Sequence, residues 1–216
     1  MGAFETFPGR LIRIEGPDRA GKSTQITKAK QYAEENDIPT IFVREPGGTK
    51  FGVEIRSLLL HNRDYNFAPV TEYALLTADR SHLIQSVIMP HLEDGFTVIS
   101  DRGIESSVCY QSAAGGMTKE QVLGVGNLLF PKRYMEPDAL ALLSISKEVR
   151  RQRMHVKRTL DGLDKIELRN VEYFDKVHDG YIDLESLPYA QVIDAEQSPE
   201  EVFNMLRPVL FGREHA

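Results

Sequence analysis

The 216 residues carry a net charge of −6, with 41% hydrophobic and 27% charged residues, a balance that suits a globular protein with one good core. That charge argues against a broad attraction to nucleic acid, and no apolar run approaches the length of a membrane span. Cys109 stands alone, which excludes an internal disulfide and fits a reducing compartment, so a soluble cytoplasmic protein is expected.

The first strand-like run is "LIRIE" (Leu11–Glu15). Gly16-Pro17-Asp18-Arg19-Ala20-Gly21-Lys22-Ser23 follows at once, leads into Thr24, and fits G-x-x-x-x-G-K-[ST] at every fixed position. Glycines let such a backbone curl until successive amides face an anion, and the helix that opens near Gly21 adds its positive end. Lys22 then reaches the outer phosphates, and Ser23 offers a hydroxyl to Mg²⁺, a hard cation that prefers oxygen. A glycine-rich turn that happens to carry a lysine would be the bland explanation. The motif, however, sits between a β-like run and an amphipathic helical stretch, "STQITKAKQYAEEN", which is the context that a phosphate loop requires.

Further along, "TIFV" (Thr40–Val43) is a second strand-like run and opens onto "REPGGT". A helix-like segment from Ala68 to Glu93 places Leu76, Leu83 and Val87 in one apolar row, with Arg80 inside it. An arginine in that position either extends out to water or meets a specific polar partner. "FTVIS" (Phe96–Ser100) leads into "DRGIESS", "ALALLSI" (Ala139–Ile145) into a basic stretch, and "AQVID" (Ala190–Asp194) into "AEQSP". In that last loop, Ser198 before Pro199 reads as a helix cap.

Strands alternating with helices in this way predict an α/β fold, a parallel five-stranded sheet covered on both faces, in one domain spanning 1–216. Ligands of such sheets bind beyond the carboxyl ends of the strands, where these loops gather. The stretch from Lys147 to Arg169 holds eight Lys/Arg against four Asp/Glu, a basic island in an acidic chain, and suggests contact with an anionic ligand. Arg19, Arg44 and Arg102 lie in separate loops, and their joint placement hints at a second phosphate, on an acceptor. The N-K-x-D element of guanine-specific GTPases is absent.

"REPGGT" followed by "FGVEIRSLLL", together with "LLTADR", "DRGIESSVCYQ" and the late "LDKIE", resembles the thymidylate kinase family over nearly the whole chain, from about Ile12 to Ile193. The resemblance implies the P-loop NTPase three-layer fold with a mobile lid at about 147–169. It also implies transfer of the γ-phosphoryl group of ATP to dTMP, with Mg²⁺, by a homodimer. Lys22 and the amides of Gly16 to Thr24 would hold the donor phosphates, with Mg²⁺ on Ser23 and Asp101. Arg44 and Arg102 would grip the acceptor phosphate, helped by Arg56, and Asp18 would accept the sugar 3′-hydroxyl. Arg80, Ser107 and Gln111 would read the thymine edge. Arg19 would act in cis as an arginine finger, with Arg153 and Lys165 as lid candidates.

Two positions depart from the family pattern. Leu76 stands where many members stack a phenylalanine on the base, and Gly103 stands where an aromatic or imidazole is common. Gly103 is therefore expected to open a wall of the sugar site. These departures keep a kinase for another or a modified pyrimidine monophosphate in view. A nucleoside kinase using Glu45 as base and a P-loop regulatory ATPase also compete with the dTMP kinase.

Overall fold

The structure is a computed structural model that describes residues 7–62, 64–160, 166–167 and 169–212, the side chains of 157–160 excepted. Five parallel strands form its sheet: β1 (Arg10–Glu15), β2 (Thr40–Arg44), β3 (Thr97–Asp101), β4 (Ala139–Ser144) and β5 (Ala190–Asp194), in the order β2-β3-β1-β4-β5. Each coincides with an expected run to within one residue at either end. Around the sheet lie α1 (Lys22–Glu35), α2 (Lys50–Leu60), α3 (Pro69–Leu83), α4 (Met89–Glu93), α5 (Ile104–Ser107), α6 (Lys119–Leu129), α7 (Lys132–Met135), α8 (Lys147–Leu160), α9 (Val171–Leu184) and α10 (Pro199–Phe211). π-helical turns over Ile84–Ile88 join α3 to α4, and similar turns over Val108–Ala113 extend α5.

β1 sorts its side chains by the two-residue period of a strand. Ile12 and Ile14 pack with Ala29 of α1 and Leu206 and Leu210 of α10, whereas Leu11 joins Leu83, Ile84 and Ile88 on the opposite face. Arg13 and Glu15 alternate with the isoleucines yet are fully buried, because helices cover both faces. Arg13 makes an ion pair with Glu105 at 2.6 Å and donates to the carbonyl of Tyr134. Burial opposes the charge of Arg13, but Glu105, Tyr134 and Glu45 together hold the guanidinium above its ordinary value.

Register sets where the loops leave the sheet. Asp101 lies opposite both Ile14 and Arg44, so the chain segments after β1, β2 and β3 emerge at one level. Local signals fix the helices that follow. Thr49 caps α2 by accepting from the Gly52 amide at 2.9 Å, and Ser198 caps α10 in a reciprocal box with Glu201, as the sequence suggests. Cys109 is buried beside Leu142, Val177 and Leu184, a packed core thiol.

Candidate active site

The loop after β1 curls as its glycines allow. Gly16 adopts φ +144°, and a Cβ there would meet the Leu143 carbonyl oxygen at 2.5 Å, so only glycine fits against β4. Ala20 is buried and its amide donates to the Pro17 carbonyl at 3.2 Å. Lys22 folds back over the loop, donating to the carbonyls of Gly16 and Pro17 at 2.7 and 3.1 Å. Burial lowers its pKa to about 8, with Arg102 adding to the effect.

Beyond this loop opens a cavity of about 470 Å³. Arg19, Gly21, Lys22, Ser23 and Thr24 form one side of it; Arg44, Arg56, Asp101 and Arg102 form the other. Arg153 of α8 reaches over the edge and donates to the carbonyls of Arg19 and Ala195, both at 3.0 Å. Arg19 and Arg102 are non-glycine residues at φ 75° and 77°, a sparsely populated conformation that often marks a functional turn. Arg19 is ion-paired with Glu167.

A second cavity, of about 140 Å³, adjoins the first. Asp18, Glu45, Arg56, Arg102 and Glu167 line both. Its far end is built by Leu76 and Arg80 of α3 and by Ser107, Tyr110 and Gln111 after β3. Arg80 is buried, so it meets a partner instead of reaching water. Its Nε donates to Glu45 Oε2 at 2.5 Å and its Nη2 to Gly103 O at 3.1 Å and Ser107 Oγ at 3.2 Å. Burial works against its charge, but Glu45 and Tyr134 hold it above its ordinary value. Arg80 Nη1 and Gln111 Oε1 are buried polar atoms with no partner in the structure, which leaves a donor and an acceptor for a ligand of this cavity.

Between the cavities, Arg102 Nη2 donates to Asp18 Oδ1 at 2.5 Å, and its guanidinium lies 5.3 Å from the Tyr110 ring centre. Burial raises the Asp18 carboxyl, but Arg102 and Lys22 together draw it below the usual range.

Some sequence expectations change. A Cβ on Gly103 would meet Arg13 Cδ at 2.5 Å and Glu105 Oε2 at 2.8 Å, so a side chain here would run into the buried ion pair, while the glycine itself lines the second cavity. Glu45 accepts from Arg80 and, at 2.7 Å, from the Tyr134 hydroxyl, an engagement that leaves it poorly placed to act as a free base. Among the described side chains of the basic stretch, Arg150 and Arg151 pair with Asp175, Lys147 with Asp179, and Arg169 with Glu72. Arg153, also among the described side chains of this stretch, reaches the phosphate loop, and Lys165 lies outside the described residues. Asp79, Glu15, Tyr110 and Tyr181 belong to the site or its support without standing out in the sequence. Tyr110 lies inside the motif "DRGIESSVCYQ" and Asp79 inside "LLTADR", which could have flagged both; Glu15 and Tyr181 give no spacing signal.

A phosphate loop on the central strand of a five-stranded parallel sheet, with helices on both faces, defines the fold of a P-loop NTPase. The family profile described as "Thymidylate kinase" matches residues 14–206. Thymidylate kinases of Caldicellulosiruptor saccharolyticus and Carboxydothermus hydrogenoformans are 36% and 35% identical, covering 94% of this chain and 96% and 98% of theirs. That of Symbiobacterium thermophilum is 36% identical over 91% of this chain and 90% of its own. The chain belongs to the thymidylate kinase family.

Proposed function

We propose that this chain transfers the γ-phosphoryl group of ATP to dTMP, giving dTDP and ADP, and so serves dTTP synthesis. The observation that carries the reading is the shared wall between the cavities. Donor phosphates at Lys22 and an acceptor phosphate at Arg44, Arg56 and Arg102 would end at the same cluster of cations. Family membership supplies the nucleotides.

The main obstacle to this reaction is mutual repulsion of two anions. A phosphate monoester has a second pKa of about 6, so the acceptor is already mostly dianionic at neutral pH and needs no general base. The engagement of Glu45 with Arg80 and Tyr134 agrees with that and argues against a nucleoside kinase. In this scheme, Lys22 and the amides of the loop hold the donor phosphates. Arg102 and Arg44 orient the acceptor, while Asp18 takes the sugar hydroxyl. Arg80, Ser107 and Gln111 read the base, and Leu76 packs on its face. Arg19 moves from Glu167 to the transferring group, and the lid at about 147–169 brings Arg153 over the donor.

Ser23 and Asp101 fit a Mg²⁺ site: both line the phosphate cavity, and Asp101 Oδ1 is buried without a partner. Few protein ligands suffice, because Mg²⁺ keeps waters and binds the nucleotide phosphates. The ion would neutralise charge on those phosphates. We take the protein to be a cytoplasmic homodimer of single-domain subunits, as the resemblance implies.

The deciding experiment measures ADP release with ATP and each common nucleoside monophosphate. A dTMP rate above all others is expected. A dCMP or hydroxymethyl-dUMP rate far above it would defeat the choice of base, an alternative that Leu76 and Gly103 prompt. A regulatory ATPase, unmoved by any monophosphate, would leave the second cavity without a ligand.

A further inference from the structure

Arg102 is surrounded by more partners than its contact with a substrate requires. Nη1 donates to Tyr181 Oη at 2.7 Å and to Ser106 Oγ at 2.9 Å; Nη2 donates to Asp18 and lies 3.4 Å from Tyr110 Oη. Glu15 is fully buried below this group, but its Oε2 stands 3.8 Å from the guanidinium, too far for a hydrogen bond. The link is indirect. Tyr181 donates to Glu15 Oε2 at 2.9 Å, and Ser106 Oγ lies 2.8 Å from the same oxygen. Glu15 Oε1 also accepts from the Gly103 amide at 2.8 Å, which fixes the turn that carries Arg102.

We infer that Tyr181 is a positioning residue for Arg102, aiming its guanidinium at the acceptor phosphate by accepting from Nη1 and donating to the buried Glu15 carboxylate. The inference rests on the reading of Arg102 as the acceptor-phosphate residue. A phenol suits this task because one oxygen can accept and donate at once, and the ring is locked by packing. Tyr181 is buried on α9, with its ring 6.4 Å from that of Tyr110 and nearly perpendicular to it. Without the hydroxyl, the geometry of Nη1 would depend on Ser106 alone, and the guanidinium could rotate away from the acceptor site.

The test compares Tyr181→Phe with the wild type at saturating ATP, then repeats the change in an Arg102→Lys background. Loss of one hydrogen bond to a charged group predicts a fall of roughly tenfold to a hundredfold in kcat/KM for dTMP, with KM for ATP unchanged. In the Arg102→Lys background the same change costs little, because the fork it aligned is gone. An equal loss in both backgrounds, or an unchanged kcat/KM for dTMP, overturns the inference. Should Tyr181→Phe not fold, Ser106→Ala removes the other link and is read in the same way. No dTMP turnover by the wild type overturns the functional reading first, and the inference with it.

Discussion

Arg80 and Glu45 meet at 2.5 Å, with side chains only 3% and 2% exposed. Such a pair is expensive to break from one side, since the survivor keeps its charge in a dry site. Glu45→Ala is expected to cost about 3–5 kcal/mol of unfolding free energy, read by urea denaturation. Glu45→Ala with Arg80→Met recovers most of that loss, though the double variant loses its preference for dTMP. A single variant within ~1 kcal/mol of the wild type would refute the buried pair.

Lys22→Ala is expected to lower turnover on the order of 10³-fold and to leave the melting curve close to that of the wild type. Its pKa of about 8 also sets a pH limit. Below that value the ammonium is charged and holds phosphate; above it the free enzyme loses the charge. kcat/KM for ATP therefore declines as pH rises through about 8. A profile that stays flat well into the alkaline range would contradict this.

Arg19→Ala is expected to reduce kcat on the order of 10³-fold, with a much smaller rise in KM for ATP. The proposed finger role requires its contact with the transferring group to tighten only in the transition state. An effect confined to KM would make Arg19 a ground-state binding residue.

Asp79 gives a pH-dependent stability. Its carboxyl is buried against the Gly47 amide at 3.4 Å, and burial, aided by Glu45, raises its pKa from 3.8 to about 6. Between these values the native state binds more protons than the unfolded one, so stability falls as pH rises and the loss is complete above about 6. Asp79→Asn keeps an acceptor for Gly47 and removes that penalty. It should be more stable than wild type by about 1–3 kcal/mol at about pH 8 and lose the advantage near about pH 4. Parallel denaturation curves at the two pH values would rule this out.

Much of the framework could be read from sequence because it depends on near neighbours in the chain. "LIRIE" and "ALALLSI" are strands by local pattern, and the phosphate loop is a spacing rule. Charge compensation does not work that way. Asp175, Asp179 and Glu72 come from other helices to neutralise Lys147, Arg150, Arg151 and Arg169, so a count along the chain overstated the free positive charge. Gly103 shows a similar limit: Arg13, which a Cβ there would strike, is distant in sequence and looks like an ordinary polar residue of a strand. For Arg80 the sequence leaves water and a polar partner both open, and nothing local names Glu45.

The order of the strands has a consequence for heating. β1 and β3 are each hydrogen-bonded on both sides, whereas β2 and β5 are edges with one neighbour. Amide exchange should accordingly be slowest under the phosphate loop and faster at Arg44, so warming would loosen the edge strand that carries Arg44 before the strand beneath that loop.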